Sequence, residues 1–130
     1  MYVDTNILIY LLEGTSGVAV QVADSLQGYV DTTAEGLVTS TLTITEFLAG
    51  SPGDATLLLA IPNLSFVAAD TATATHAGLL QRQHGVKLGD AIHLTTALAT
   101  SCTVLYTNDR RLAGVAAEYM TVRRLDATGA

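Results

Sequence analysis

The segment Met-Tyr-Val-Asp-Thr-Asn-Ile-Leu-Ile-Tyr-Leu-Leu (residues 1–12) contains two apolar runs separated by a short polar group. Met1 to Val3 is short and apolar, as expected of a buried strand, whereas Thr5 to Leu12 is long enough and apolar enough for a helix. Asp4 stands where the strand would pass into the helix. The segment therefore predicts a β-strand followed directly by an α-helix, with a carboxylate at the junction.

The same alternation continues along the chain. Further strands are predicted at Leu37 to Thr39, Leu64 to Val67, Val104 to Thr107 and Met120 to Arg123. Further helices are predicted at Val18 to Tyr29, Thr41 to Ala49, Thr71 to His84, Asp90 to Ala99 and Asp109 to Ala117. Strands that alternate with helices favour a parallel sheet that is covered on both faces. We therefore expect an α/β fold, a three-layer α/β/α sandwich with a mainly parallel sheet of roughly five strands, as one domain over residues 1–130.

The composition of the chain excludes several kinds of protein surface and covalent link. The chain has 130 residues, of which 49% are hydrophobic, and its 12 acidic and 6 basic residues give a net charge of −6. Such acidity excludes a broad basic surface for nucleic acid, so any nucleic-acid role must be local. Cys102 is the only cysteine, so an intramolecular disulfide is excluded. We expect Cys102 to be a small buried residue at the start of a strand. With no apolar run long enough to span a membrane, we expect a cytoplasmic protein.

Four acidic residues lie at or near the turns from strand to helix. Asp4, Asp90 and Asp109 fall in the turn or in the first helical turn, and Glu46 lies one to two turns into its helix. Each has a structural alternative, because Asp is a common helix N-cap and Thr43 to Glu46 fits a capping box. Open parallel sheets, however, bind ligands beyond the carboxyl ends of their strands. The four carboxylates are therefore expected to approach one another at that edge.

Grouped carboxylates need a compensating charge. Desolvation and mutual repulsion would otherwise force protons onto them. Oxygen ligands without a cysteine or histidine cluster favour a hard divalent ion. The sequence thus predicts a Mg²⁺ or Mn²⁺ site formed by Asp4, Glu46, Asp90 and Asp109.

Four stretches together resemble the motifs of PIN domains in content, order and spacing. They are Val-Asp-Thr-Asn-Ile-Leu-Ile-Tyr (3–10), Thr-Ile-Thr-Glu-Phe-Leu-Ala-Gly (43–50), Leu-Gly-Asp-Ala-Ile-His (88–93) and Leu-Tyr-Thr-Asn-Asp (105–109). The resemblance covers nearly the whole chain, and the short length is similar to that of VapC-type toxins.

The resemblance implies a metal-dependent endoribonuclease, with the four acids as catalytic and metal-binding residues around one or two Mg²⁺ or Mn²⁺ ions. Supporting roles are implied for Thr5, Asn6, Thr107 and Asn108. It further implies an RNA substrate, a cognate antitoxin protein and a homodimer. The apolar run Leu57 to Ile61 is then expected in the core or at the dimer face.

Basic residues near the site are candidates for RNA contacts. Arg110 and Arg111 directly follow Asp109, and arginine matches phosphate geometry, although an exposed surface pair is an equal alternative. Arg82 and Lys87 are further candidates at the mouth of the same cleft. His93 shares a helix face with Asp90 and is either a contact to the site or a partly buried hydrogen-bonding residue, which is favoured.

Two other functions fit the alternating pattern. A phosphoacceptor signalling domain should carry paired acids after its first strand and an acceptor aspartate after its third, but only Asp4 follows the first strand and Asp70 ends the third. A PIN-like binding module without catalysis would keep the same fold. Nucleotide-binding folds are disfavoured because the chain lacks their glycine-rich phosphate loops.

Overall fold

A computed structural model describes residues 1–125, so the last five residues of the predicted domain lie outside it. Within this range the chain forms β1 (Tyr2–Val3), α1 (Thr5–Glu13), α2 (Ser16–Thr33), β2 (Leu37–Ser40), α3 (Leu42–Gly50), α4 (Thr56–Leu59), β3 (Leu64–Val67), α5 (Thr71–His84), α6 (Leu88–Ala99), β4 (Val104–Tyr106), α7 (Arg110–Ala116) and β5 (Thr121–Arg123). Most elements match the prediction to within a few residues.

The five strands form one sheet in the order β3-β2-β1-β4-β5. Every pairing between these strands is parallel, with Tyr2 opposite Val38 on one side and opposite Leu105 on the other. The predicted α/β/α architecture is confirmed, and the sheet is wholly parallel rather than mainly parallel. Because β1 is central, the residue that follows it lies in the middle of the carboxyl edge.

Helices cover both faces of the sheet. Tyr2 and Val3 are both fully buried, on opposite faces, because successive side chains of a strand alternate. Val3 packs in a core with residues from α1 and α2, including Leu8, whereas Tyr2 packs in a second core with Leu94 of α6 and Leu112 of α7. Full burial of each aliphatic side chain contributes about 1.5–3 kcal/mol. These two cores hold β1 and the start of α1 firmly in place.

The short helix α4 was not predicted. Leu58 is fully buried, but Leu57 and Leu59 remain 65% and 57% exposed, so this run belongs only in part to the core. Its four residues are too few to show helical periodicity in the sequence. Cys102 is only partly buried and lies two residues before β4, so the prediction that it is buried at a strand start is wrong in part. Within residues 1–125, no helix has the length and hydrophobicity required for a membrane span.

Candidate active site

A cleft of about 440 Å³ opens at the carboxyl edge of the sheet. Its lining consists of Asp4, Thr5, Asn6, Ile9, Glu46, Ala49, Gly50, Lys87, Asp90 and Asp109. All four acids that the sequence singled out therefore line one cleft. They come from the end of β1, from α3, from α6 and from the start of α7.

Asp4 and Asp109 both cap helices and both face the cleft. Asp4 is 5% exposed, and its Oδ1 accepts a hydrogen bond of 2.8 Å from the backbone N–H of Thr5. Asp109 caps α7 by accepting a bond of 2.9 Å from the N–H of Leu112. Thr107 joins the two acids, since its hydroxyl donates to Asp4 Oδ2 at 2.7 Å and accepts from the N–H of Asp109 at 3.0 Å. Capping and a role in the site are thus compatible at these positions.

A set of threonine hydroxyls fixes one side of Glu46. Thr5 Oγ1 donates to Glu46 Oε1 at 2.8 Å, and Thr39 Oγ1 donates to the carbonyl of Val3 at 2.8 Å. Thr43 Oγ1 lies between them, 3.0 Å from Thr5 Oγ1 and 2.7 Å from Thr39 Oγ1. Thr43 therefore has no capping role, and α3 begins at Leu42 without a side-chain cap. The capping-box alternative for Thr43 and Glu46 is wrong.

Asp90 is a half-buried carboxylate, one oxygen of which needs a partner. The N-cap residue of α6 is Lys87, so Asp90 lies in the first turn and is not a cap. Because α6 follows α5 and not a strand, the prediction that Asp90 lies near a turn from strand to helix is wrong. Within residues 1–125, its Oδ2 is buried and accepts no hydrogen bond. Burial, followed by the charges of Asp109 and Asp4, raises the pKa of Asp90 to about 6. This carboxylate is therefore unfavourable in its charged form unless a cation lies beside it.

The donor set of the cleft fits a hydrated divalent ion. In the described part of the chain, no group of three or more Asp, Glu, His or Cys side chains is arranged to hold a metal without rearrangement. Mg²⁺ does not require such a cage, because it retains several waters and binds proteins through one or two carboxylates. The unpartnered oxygen of Asp90, with Asp4 and Asp109 close enough to act on its charge, suits that mode of binding.

His93 lies fully buried behind the cleft. Its Nε2 is 2.5 Å from Glu46 Oε1 and 3.6 Å from Asp4 Oδ1, and its Nδ1 is 2.6 Å from the hydroxyl of Tyr2. Burial alone would lower the pKa of His93, but the hydrogen bond to Glu46 and the charges of Asp4 and Glu46 raise it. Burial would likewise raise the pKa of Glu46, but the bond from His93 lowers it. The favoured prediction of a hydrogen-bonding residue is correct, although the burial is complete rather than partial.

A family model of the PIN domain matches residues 1–118. The chain belongs to the PIN domain family. The resemblance that the four motifs carried is thereby confirmed.

Solved structures share this PIN fold. The chain is similar to a chain of a toxin–antitoxin complex from Klebsiella pneumoniae, with 24% identity, a TM-score of 0.70, and coverage of 88% of this chain and 91% of the other. It is also similar to a chain of VapBC2 from Rickettsia felis bound to a DNA fragment from their promoter, with 16% identity, a TM-score of 0.73, and coverage of 96% and 98%. No curated protein sequence gives a significant match.

The remaining predicted residues of this PIN domain take different positions. Asn6 lines the cleft and is exposed. Asn108 is absent from the lining, and its backbone carbonyl accepts a hydrogen bond of 3.3 Å from the guanidinium of Arg124. Arg110 and Arg111 in the first turn of α7 are exposed and do not line the cleft, and the same holds for Arg82 in α5. Within residues 1–125, the cationic side chain that does line it is Lys87.

Tyr2 is a residue of the site that the sequence interpretation missed. Its position contained a signal, because residues two apart on a strand face the same side, and Tyr2 is two residues before Asp4. Thr39 and Thr43 carried a weaker signal, since hydroxyls in a strand and a helix usually bond locally.

Proposed function

We propose that this PIN domain is a metal-dependent endoribonuclease that hydrolyses RNA phosphodiester bonds and serves as the toxin of a type II, VapBC-like toxin–antitoxin system. The observation that carries the proposal is the buried oxygen of Asp90 that has no hydrogen-bond partner within residues 1–125, in a cleft that also holds Asp4, Glu46 and Asp109. Membership of the PIN family and the similarity to chains of two toxin–antitoxin complexes support it.

A bound Mg²⁺ or Mn²⁺ ion would stabilise charge on the phosphoryl oxygens and make water a stronger nucleophile near neutral pH. Asp4, Asp90 and Asp109 would hold the ion or ions, and the Thr107 hydroxyl keeps Asp4 and Asp109 in register. Glu46 has Oε1 occupied by Thr5 and His93, which leaves Oε2 to bind the ion or to orient the attacking water.

Binding of RNA must overcome the acidity of the chain. Two divalent ions would change the formal charge from −6 to −6 + 4 = −2 and would concentrate positive charge where the phosphate must lie. Lys87 lines the cleft beside the acids, which supports a role for its side chain in binding a backbone phosphate. Arg110 and Arg111 remain predicted contacts for RNA that extends beyond the cleft.

The partners and the state of the protein are further parts of the proposal. We propose a single domain in a cytoplasmic homodimer that a cognate antitoxin inhibits. Both relatives are described as parts of toxin–antitoxin assemblies, which supports a protein partner. Co-expression with the product of an adjacent small gene, followed by co-purification, tests the antitoxin. Light scattering of the isolated chain tests the dimer.

The decisive experiment is cleavage of mixed RNA with Mg²⁺ or Mn²⁺ and with EDTA. Asp4→Asn and Asp90→Asn are expected to lose activity by at least about 100-fold, since each removes a charge that would hold the metal. Asp70→Asn is the matched control, because Asp70 is also a helix N-cap but lies outside the cleft. Equal cleavage by wild type and both cleft variants would mean a contaminating nuclease and would contradict the proposal.

The alternative of a phosphoacceptor domain has less support. Its usual strand order is 2-1-3-4-5, whereas this sheet has the order β3-β2-β1-β4-β5. Asp70 follows an edge strand, and its carboxylate caps α5 by accepting from the N–H and hydroxyl of Thr73 at 2.9 and 3.0 Å. A binding module without catalysis is distinguished by the cleavage assay, because it would bind Mn²⁺ and leave RNA intact.

A further inference from the structure

The contacts of Glu46 divide its two carboxylate oxygens into different roles. Oε1 accepts from the Thr5 hydroxyl at 2.8 Å and lies 2.5 Å from His93 Nε2. Oε2 has no hydrogen bond within residues 1–125, and a Cβ at Gly89 would lie only 3.0 Å from it. One oxygen is thus held by the protein, and the other is left free.

The imidazole of His93 is itself held in one orientation. An ionised carboxylate only accepts hydrogen bonds, so Nε2 must carry the hydrogen of the bond to Glu46. Nδ1 is 2.6 Å from the hydroxyl of Tyr2, and the two rings pack edge to face with their centroids 5.7 Å apart. His93 is 1% exposed and Tyr2 is fully buried in the core, so neither ring has room to rotate.

We propose that Tyr2 and His93 are positioning residues, which fix the Glu46 carboxylate so that Oε2 alone faces the metal. In metalloproteins, partners that orient a ligand change metal affinity or activity by roughly 10- to 100-fold when they are removed. Here the series of hydrogen bonds runs from Tyr2 on the central strand through His93 on α6 to Glu46 on α3. It therefore couples three separate elements to the geometry of one oxygen. This inference rests on one part of the proposed function, the binding of a divalent metal, and does not require cleavage of RNA.

Calorimetric titration of the metal-free protein with Mn²⁺, in the absence of RNA, tests this inference. His93→Leu keeps a buried apolar volume and removes both ring nitrogens, so we expect Mn²⁺ affinity to fall by about 10- to 100-fold. His93→Gln keeps an N–H donor near the position of Nε2 and is expected to restore part of the affinity. Tyr2→Phe removes only the hydroxyl and is expected to weaken binding by about threefold or more.

Tyr29→Phe is the matched control for Tyr2→Phe. It also removes one hydroxyl and a hydrogen bond of 2.6 Å, in this case to Glu35, and Tyr29 does not line the cleft. Its Mn²⁺ affinity should equal that of wild type. Thermal unfolding of each variant shows whether the fold persists, and Tyr2→Phe serves if His93→Leu unfolds.

The outcomes separate this inference from the proposed function. Wild-type affinity in folded His93→Leu and Tyr2→Phe overturns the positioning role, as does a wild-type protein that binds no Mn²⁺. A different result would separate the two proposals: wild type and Tyr29→Phe bind Mn²⁺ well, His93→Leu and Tyr2→Phe bind it poorly, and none of these proteins cleaves RNA. In that case the positioning role stands and the nuclease proposal fails.

Discussion

Gly89 is a position where the Glu46 carboxylate can be displaced without removing a polar group. A Cβ at Gly89 would lie 3.0 Å from Glu46 Oε2 and 3.9 Å from its carboxyl carbon. Unstrained contacts between carbon and oxygen begin at about 3.3 Å, so Gly89→Ala requires a shift of about 0.3 Å. Because His93 and Thr5 hold Oε1, the shift must change those bonds or turn the carboxylate.

The size of the effect on catalysis follows from that displacement. Misplacement of a reacting group by about 1 Å costs about 100-fold in rate. If the cost scales logarithmically with distance, then a shift of about 0.3 Å costs about fourfold. Stability should change in the opposite direction, since Gly89 lies in α6 without a positive φ and alanine favours a helix over glycine by about 0.5–1 kcal/mol.

Three measurements check this prediction: kcat/KM on a fluorogenic RNA, Mn²⁺ affinity by calorimetry, and the midpoint of thermal unfolding. Gly78→Ala in α5 is the matched control, because its Cβ would meet nothing within 4 Å. Both variants should unfold at the wild-type temperature or a few degrees above it. Only Gly89→Ala should lose activity and Mn²⁺ affinity. Wild-type activity and affinity in Gly89→Ala would refute the reasoning, as would equal losses in both variants.

Three further predictions concern charge in the cleft. The pKa of Asp90 is raised from 3.8 to about 6, so the metal-free native protein binds more protons than the unfolded chain between these pH values. The contribution of this carboxyl to the free energy of unfolding therefore falls as the pH rises from 3.8 to about 6. Thermal unfolding in EDTA should show a smaller loss in Asp90→Asn, and an equal loss would contradict the assignment. Asp4→Asn should lower the pKa of Asp90, because the charge of Asp4 helps to raise it; an unchanged carboxyl titration by NMR would argue against their proximity. The third prediction uses the Asp4→Asn background, in which RNA is expected to stay intact. There Lys87→Gln should weaken RNA binding and reduce the slope of log binding constant against log salt concentration by about 0.7, whereas Arg82→Gln, at an exposed site outside the cleft, should not. Equal slopes would remove Lys87 from the RNA contacts.

The fold was predictable because its signals are local. Each parallel strand is short and apolar, and the helix that follows restores an apolar spacing of three and four residues, as residues 1–12 show. Asp4 and Asp109 lie directly at these junctions, whereas Asp90 lies in the first turn of α6, which follows α5 and not a strand. The approach of Asp4 and Asp109 at one edge followed from the parallel sheet itself, whereas the place of Asp90 depends on how α6 packs.

What the sequence could not supply depends on contacts between distant elements. The bond between Tyr2 and His93 joins residues 91 positions apart, and that between His93 and Glu46 joins residues 47 apart. No local pattern specifies which oxygen of Glu46 is held. Proximity in sequence to Asp109 favours Arg110 and Arg111 as contacts, yet Lys87 is the residue that lines the cleft, because proximity in sequence does not determine which side chain turns toward it.

The central place of β1 also governs when the site can form during synthesis. Tyr2 leaves the ribosome early, but it pairs with Leu105, and Asp4 receives its bond from Thr107, 103 residues further along. Contacts of such long range form late in folding because loop closure precedes them. A nascent chain that ends before β4 therefore lacks the pairing of β1 with β4, the Thr107 bond to Asp4, and Asp109. An unfinished translation product of such a ribonuclease should be harmless to the RNA that encodes it.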